Sequence, residues 1–193
     1  MGIGRLAPLL LVLLSTPACQ AKEPAAVPQD STRSAPSPVT AEMISEHASI
    51  QPGGTTRIGV HFEIEEGWHI YADPPGDAGL PTRIAWSGST LVSFGPVVYP
   101  PAEQFIDPGD IRTRGYSGSA VLFSTVTLDP LWNRRGNVVE QSALVGLNLS
   151  AAVKWLACHE ICVPGKADLT LMLPVSDQSP VFSTHAELFE QVQ

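Results

Sequence analysis

The sequence predicts an all-β sandwich, and three observations predict it. Short apolar runs with period-two alternation recur along residues 39–176, the pattern of strands with one buried face. Turn-forming clusters separate them, at Pro52-Gly53-Gly54, Pro74-Pro75-Gly76-Asp77, Pro108-Gly109-Asp110 and Arg134-Arg135-Gly136-Asn137. Beyond the N-terminal stretch remain about 155 residues, enough for one domain with a real core. Roughly seven or eight strands at this spacing specify a sandwich of immunoglobulin type.

The elements follow in order. Val39 to Ile50 is a first strand whose start also carries a helical pattern. Thr55 to Glu63 alternates, so Ile58, Val60, Phe62 and Ile64 share one face and Arg57, Gly59, His61 and Glu63 the other. Trp68 to Tyr71, Thr82 to Trp86, Leu91 to Val98, Ala120 to Leu128, Ser142 to Leu156 and Ala167 to Leu173 are the further strands. Residues 177–193 form a tail or short helix, with Phe182, Ala186, Leu188 and Phe189 near helical spacing. Residues 39–176 are the domain proper.

Residues 1–18 read as an export signal: Arg5 is a minimal basic region, and Leu6 to Leu14 is apolar apart from Pro8. That run falls well short of the about 20 residues a bilayer span needs. Ala18-Cys19 then resembles a lipoprotein cleavage site, although Thr16 stands where leucine is usual. Cys19 is therefore a candidate lipidation site, the alternative being ordinary signal cleavage that leaves a free thiol. Residues 19–38, rich in Pro, Ala and Ser, make a tether in which Pro24, Pro28, Pro36 and Pro38 favour extended backbone. The expected location is the periplasm, with membrane attachment only through the N-terminal lipid. The formal net charge of −8, one unit more negative once Arg5 leaves with the signal, argues against a nucleic-acid partner.

Of three cysteines, the remaining two are Cys158 and Cys162. Four extended steps of roughly 3.3 Å would hold them about 13 Å apart. A disulfide needs Cα atoms roughly 4.4–6.8 Å apart. To pair, the chain must turn through His159-Glu160-Ile161, return at Val163 and leave by Pro164-Gly165, which places the pair at a hairpin tip. A bridge across so short a loop constrains the unfolded chain little, so it is a poor staple. Short, exposed bridges tend to be the exchangeable ones. Two other readings stand beside exchange: an inert structural disulfide, and a Cu(I) or Zn site using Cys158, Cys162 and His159. A closed structural zinc site is not expected, because no second ligand pair at finger-like spacing is present.

Trp155, Leu156, Cys158, Cys162, Pro164 and Gly165 stand in a spacing that, with Gly67-Trp68-His69-Ile70-Tyr71 and the Pro75 to Thr82 segment upstream, resembles the N-terminal periplasmic domain of the DsbD/ScsB family of thiol:disulfide interchange proteins. The resemblance covers roughly residues 40 to 175. It implies an immunoglobulin-like sandwich with an active-site hairpin and a cap loop. It also implies that the two cysteines receive electrons from one thioredoxin-like protein and pass them to others in the periplasm, with no bound cofactor and no metal. Here no transmembrane carrier follows the domain, so the donor is expected to be a separate protein, such as a membrane electron carrier. The resemblance points to Cys162 as the sulfur that joins the partner and Cys158 as the one that resolves.

His159 and Glu160 lie in the loop between the sulfurs, where a protonated histidine would lower and a carboxylate raise a cysteine pKa; alternatively both are plain solvated residues. His69 and Tyr71 share one face of a short strand, and the resemblance gives them a shielding or proton-handling role. The bland alternative is a surface His69 and a core Tyr71. The family's cap matches residues 100–116, with Phe105 the first cap candidate and Tyr116 the second; either could instead be core. The glycine-rich Pro75 to Pro81 segment lacks the Gly-Lys-Ser/Thr ending of a phosphate loop and reads as a shaped loop lining the site.

Overall fold

Alternating strands too numerous for one half-buried sheet must pack face to face, and the computed structural model shows them doing so over the residues it describes, 37–132 and 146–192. The signal, the tether up to residue 36 with Cys19, the Arg134 to Asn137 turn and the start of the Ser142 strand lie outside the described residues. The described residues hold ten strands: β1 Val39–Ser45, β2 Thr55–Ile64, β3 His69–Gly76, β4 Arg83–Ser87, β5 Val92–Phe94, β6 Glu103–Asp107, β7 Ile111–Tyr116, β8 Ser119–Leu128, β9 Gly146–Cys158 and β10 Cys162–Pro174. A 3-10 helix, Ala186–Val192, follows.

One sheet has the order β1-β2-β8-β5, and the other β10-β9-β3-β7-β6 with β4 also pairing β9. β9 has β10 along one edge. Its other edge is shared, with β4 matching Arg83 to Lys154 through Ser87 to Ser150, and β3 matching His69 to Cys158. The predicted face of β2 is the core face: Ile58, Val60 and Phe62 are fully buried and Ile64 nearly so. Phe62 meets Trp155 of β9 edge-on across the sandwich at 5.7 Å. At the other end Ile58, Val126, Leu128, Trp132, Leu147 and Leu149 close the core.

Three features were not foreseen from the sequence. The cap stretch, residues 100–116, is a strand pair: β6 and β7 pair in register, Glu103 with Gly115 through Asp107 with Ile111, and β7 joins β3. Their apolar content is too thin for periodicity to show, because the hairpin sits at the sheet edge. The chain stays in strand through Pro74-Pro75-Gly76, read from sequence as a turn. Finally, the second face of β2 is partly covered. Phe189 of the C-terminal helix is fully buried against Ile44 and Val121, over a place where β2 carries Gly59. A Cβ on Gly59 would stand 2.9 Å from Val121 and 3.2 Å from Phe189, so glycine is what lets the helix close down.

Candidate active site

The alternation of β9 decides where the site lies. Leu149, Ala151, Val153, Trp155 and Ala157 point into the core, which leaves Leu156 and Cys158 on the outer face of the larger sheet. Cys158 pairs across β9–β10 with Cys162 and across β9–β3 with His69. His69 and Tyr71 therefore share the face that carries the cysteines, while Ile70 and Ala72 enter the core.

The turn reverses as the extended-chain argument requires. The His159 amide donates to the Ile161 carbonyl at 3.0 Å, and Cys158 and Cys162 form a disulfide with Cα atoms 4.1 Å apart. Gly165 permits the exit, since its missing Cβ would lie 2.2 Å from the Trp155 indole. The two sulfur-bearing residues are not equivalent. Cys158 is 2 % exposed, whereas Cys162 is exposed at the start of β10.

Two elements bury the outer face around Cys158. Tyr71, Ala78, Gly79, Asp107, Pro108, Ile111, Leu156, His159 and Glu160 line a pocket with both cysteines. Gly79, at φ +96°, lies flat against Tyr71: a Cβ there would be 2.5 Å from the ring. Asp77 fastens this loop to β7, its amide donating to the Arg112 carbonyl at 2.8 Å and its carboxylate accepting from the Arg112 amide at 3.2 Å. The Pro75 to Pro81 segment thus does line the site. The tip of the β6–β7 hairpin supplies the opposite wall.

His69 is buried where the bland reading had it on the surface. Its ring stacks on Phe105 at 4.4 Å between centroids and meets Tyr71 edge-on at 5.1 Å. Burial pushes its pKa below the ordinary histidine value, with the Asp107 carboxylate opposing and His159 adding to the fall. Its Nε2 has no hydrogen-bond partner among the described residues, and the nearest carboxylate oxygen, Asp107 Oδ1, is 3.8 Å away. Tyr71 is raised above the usual phenol value, first by burial and then by Asp107.

The two cap candidates part company. Phe105 is half-buried and reaches the site through its stack on His69. Tyr116 is a core residue: it packs with Ile70 and Ala157, its hydroxyl donates to the Pro100 carbonyl at 3.0 Å, and burial pushes its pKa well up. His159 and Glu160 are exposed at the pocket rim, His159 beside Trp68 with ring centroids 5.8 Å apart. Among the described residues no group of three His, Cys, Asp or Glu side chains is placed to hold a metal ion.

Sequence reasoning missed Asp107, whose Oδ2 accepts from the Thr113 hydroxyl at 2.9 Å and which faces both His69 and Tyr71. The signal was its place two residues after Phe105, which becomes meaningful only once β6 is a strand.

The sequence model of a family described as "Thiol:disulfide interchange protein DsbD, N-terminal" matches residues 36–174. The N-terminal periplasmic domain of ScsB from Proteus mirabilis is similar in structure, with a TM-score of 0.51 at 18% identity over 79% of this chain. This chain spans 52% of the length of that structure. The reduced DsbD N-terminal domain of Neisseria meningitidis gives a TM-score of 0.39 at 15% identity, over 72% of this chain and 89% of that one. The complex of the DsbD and PilB N-terminal domains from the same organism gives 0.32 at 13% identity, over 65% and 80%. No curated protein sequence matches.

Proposed function

The chain belongs to the DsbD N-terminal family of thiol:disulfide interchange proteins, and from that membership we propose that it relays reducing equivalents between thioredoxin-like proteins of the periplasm through Cys158 and Cys162. One observation carries the reading: the disulfide stands at a hairpin tip with Cys162 exposed and Cys158 buried in a pocket. A partner thiolate reaches Cys162 Sγ, forms a mixed disulfide there and expels Cys158 Sγ as thiolate. A second partner thiol then attacks the mixed disulfide, leaving the pair reduced and the partner oxidised. In the forward step Cys162 thiolate attacks a substrate disulfide and Cys158 resolves the mixed disulfide.

His69 is opposite Cys158 and so stands next to the sulfur that changes charge. Its ring, held neutral by burial, offers an N–H hydrogen bond that stabilises the Cys158 thiolate. Phe105 holds the ring by stacking, and Asp107 faces it from β6. His159 and Glu160 set the charge at the rim. The N-terminal signal and an acylated Cys19 would deliver the domain to the periplasmic membrane surface, within reach of a membrane electron carrier.

The test is trapping. Cys158→Ala, incubated with an oxidised thioredoxin-like protein, should accumulate a mixed disulfide through Cys162, while Cys162→Ala should not. Equal trapping by both variants would reject the assigned order. A wild-type bridge that no thioredoxin-like protein reduces would reject the relay itself, and stoichiometric Cu(I) uptake by that resistant protein would favour the metal-binding alternative.

A further inference from the structure

Strands β1, β2 and β8 lie side by side, and their outer face is only partly covered by the C-terminal helix. At the uncovered end, Glu42 is directly opposite His61, and Ser119 lies diagonal to it, two residues from Val121, the cross-strand partner of His61. Residues so placed on one face of a sheet are within side-chain reach. His61 Nδ1 is 3.0 Å from Glu42 Oε1, and His61 Nε2 is 3.0 Å from Ser119 Oγ.

The order of the nitrogens fixes the donors. An ionised carboxylate only accepts, so Nδ1 carries the proton toward Glu42. In the neutral ring Nε2 is then the acceptor, and the Ser119 hydroxyl must donate to it. This is a nucleophile held by a base that is itself oriented by an acid, the arrangement that activates serine hydroxyls on unrelated folds. The ring is buried to 10 % exposure, Ser119 is exposed at the start of β8, and a groove lined by Thr40, Glu42, His61 and Glu63 opens beside them.

We infer that Ser119, His61 and Glu42 form a second chemical site, separate from the dithiol, in which Ser119 is an activated hydroxyl that takes acyl groups from small neutral or cationic carboxylic esters. Ser119 Oγ attacks the ester carbonyl carbon while its proton passes to His61 Nε2. The bond from that carbon to the ester oxygen breaks, and the departing alkoxide takes the proton from His61, leaving acyl-Ser119. Water hydrolyses the acyl group by the same steps, with no change of oxidation state. Glu42 positions the ring and stabilises its protonated form. Glu63, the other carboxylate of the groove, disfavours anionic acyl groups.

A neutral fluorophosphonate probe with mass-spectrometric site mapping on the full chain tests this. Wild-type protein should be labelled at Ser119, and Ser119→Ala should lose that label while keeping its urea midpoint and its Cys158–Cys162 exchange rate. His61→Gln should slow labelling by about 10²-fold or more, the usual contribution of a general base. Should His61→Gln fail to fold, Glu42→Gln serves, since Glu42 is an exposed edge-strand residue. It should slow labelling at an unchanged urea midpoint, because a neutral amide stabilises the protonated ring of the transition state less than a carboxylate does. Labelling of Ser119 no faster than that of the neighbouring Ser117, or a labelling rate indifferent to Glu42→Gln, overturns the proposal.

Discussion

At the scale of residues, the site rests on a few side chains whose surroundings differ sharply from their neighbours'. His69 is the clearest. Burial lowers its pKa, so the folded protein accommodates the neutral ring better than the charged one. The sign follows by linkage: the contribution to stability is complete above the unfolded-state value near about 6.5 and is lost as pH falls from there through the lower folded value. His69→Gln should therefore flatten the decline of the urea midpoint between neutral pH and the acid side of that window. An unchanged pH slope would mean that His69 does not titrate against folding. Asp107 is the residue the sequence concealed. Nothing in Phe105-Ile106-Asp107 marks the carboxylate until β6 pairs with β7 and turns Phe105 and Asp107 to one face.

At the scale of elements, the long strands were readable because their burial is one-sided. Ile58, Val60, Phe62 and Ile64 alternate, and so do Leu147 to Ala157. The β6–β7 hairpin and the strand through Pro74 and Pro75 were not, because edge strands need few apolar residues and prolines mark turns and edges alike. The dithiol hairpin was legible from extended-chain distance alone. What distance could not give was the pocket, which two separate loops build over the outer face. The Gly79 contact makes that wall testable. Gly79→Ala places a side chain at positive φ and into the Tyr71 ring. It should cost roughly 1–3 kcal/mol, the usual range for such backbone strain. It should also speed reduction of the disulfide by a small dithiol as the wall lifts. A variant with wild-type midpoint and wild-type reduction rate would show that the loop yields freely.

At the scale of the whole molecule, the described domain has three layers: two sheets and the C-terminal helix on the outer face of the smaller one. Phe189 plugs that layer, and Arg57 ties it down. The guanidinium lies 5.5 Å from the ring centroids of both Phe123 and Phe189, donates to the Phe189 carbonyl at 3.0 Å and bonds Glu46 at 2.6 Å. Phe189→Ala should cost about 3–5 kcal/mol, as for other fully buried phenylalanines. Chemical denaturation reads the loss. The exchange rate of the protein that remains folded should not move, because the dithiol is on the other sheet; a parallel loss of exchange would show that the layers are coupled. The hairpin tip has a further consequence through a thermodynamic cycle. The sulfurs are four positions apart, and the chain-entropy relation assigns so small a ring about 2 kcal/mol. The extra folding stability of the oxidised form must equal the gap in reduction free energy between folded domain and unfolded chain, and 2 kcal/mol corresponds to about 40 mV. A synthetic peptide spanning Trp155 to Gly165 should thus titrate against glutathione within about 40 mV of the intact domain, the domain being the more reducing. A gap several times wider would mean that the pocket holds one redox form far more tightly than the other. On this account the fold governs who may reach the sulfurs, and the ten-odd residues of the tip govern how readily they give up electrons.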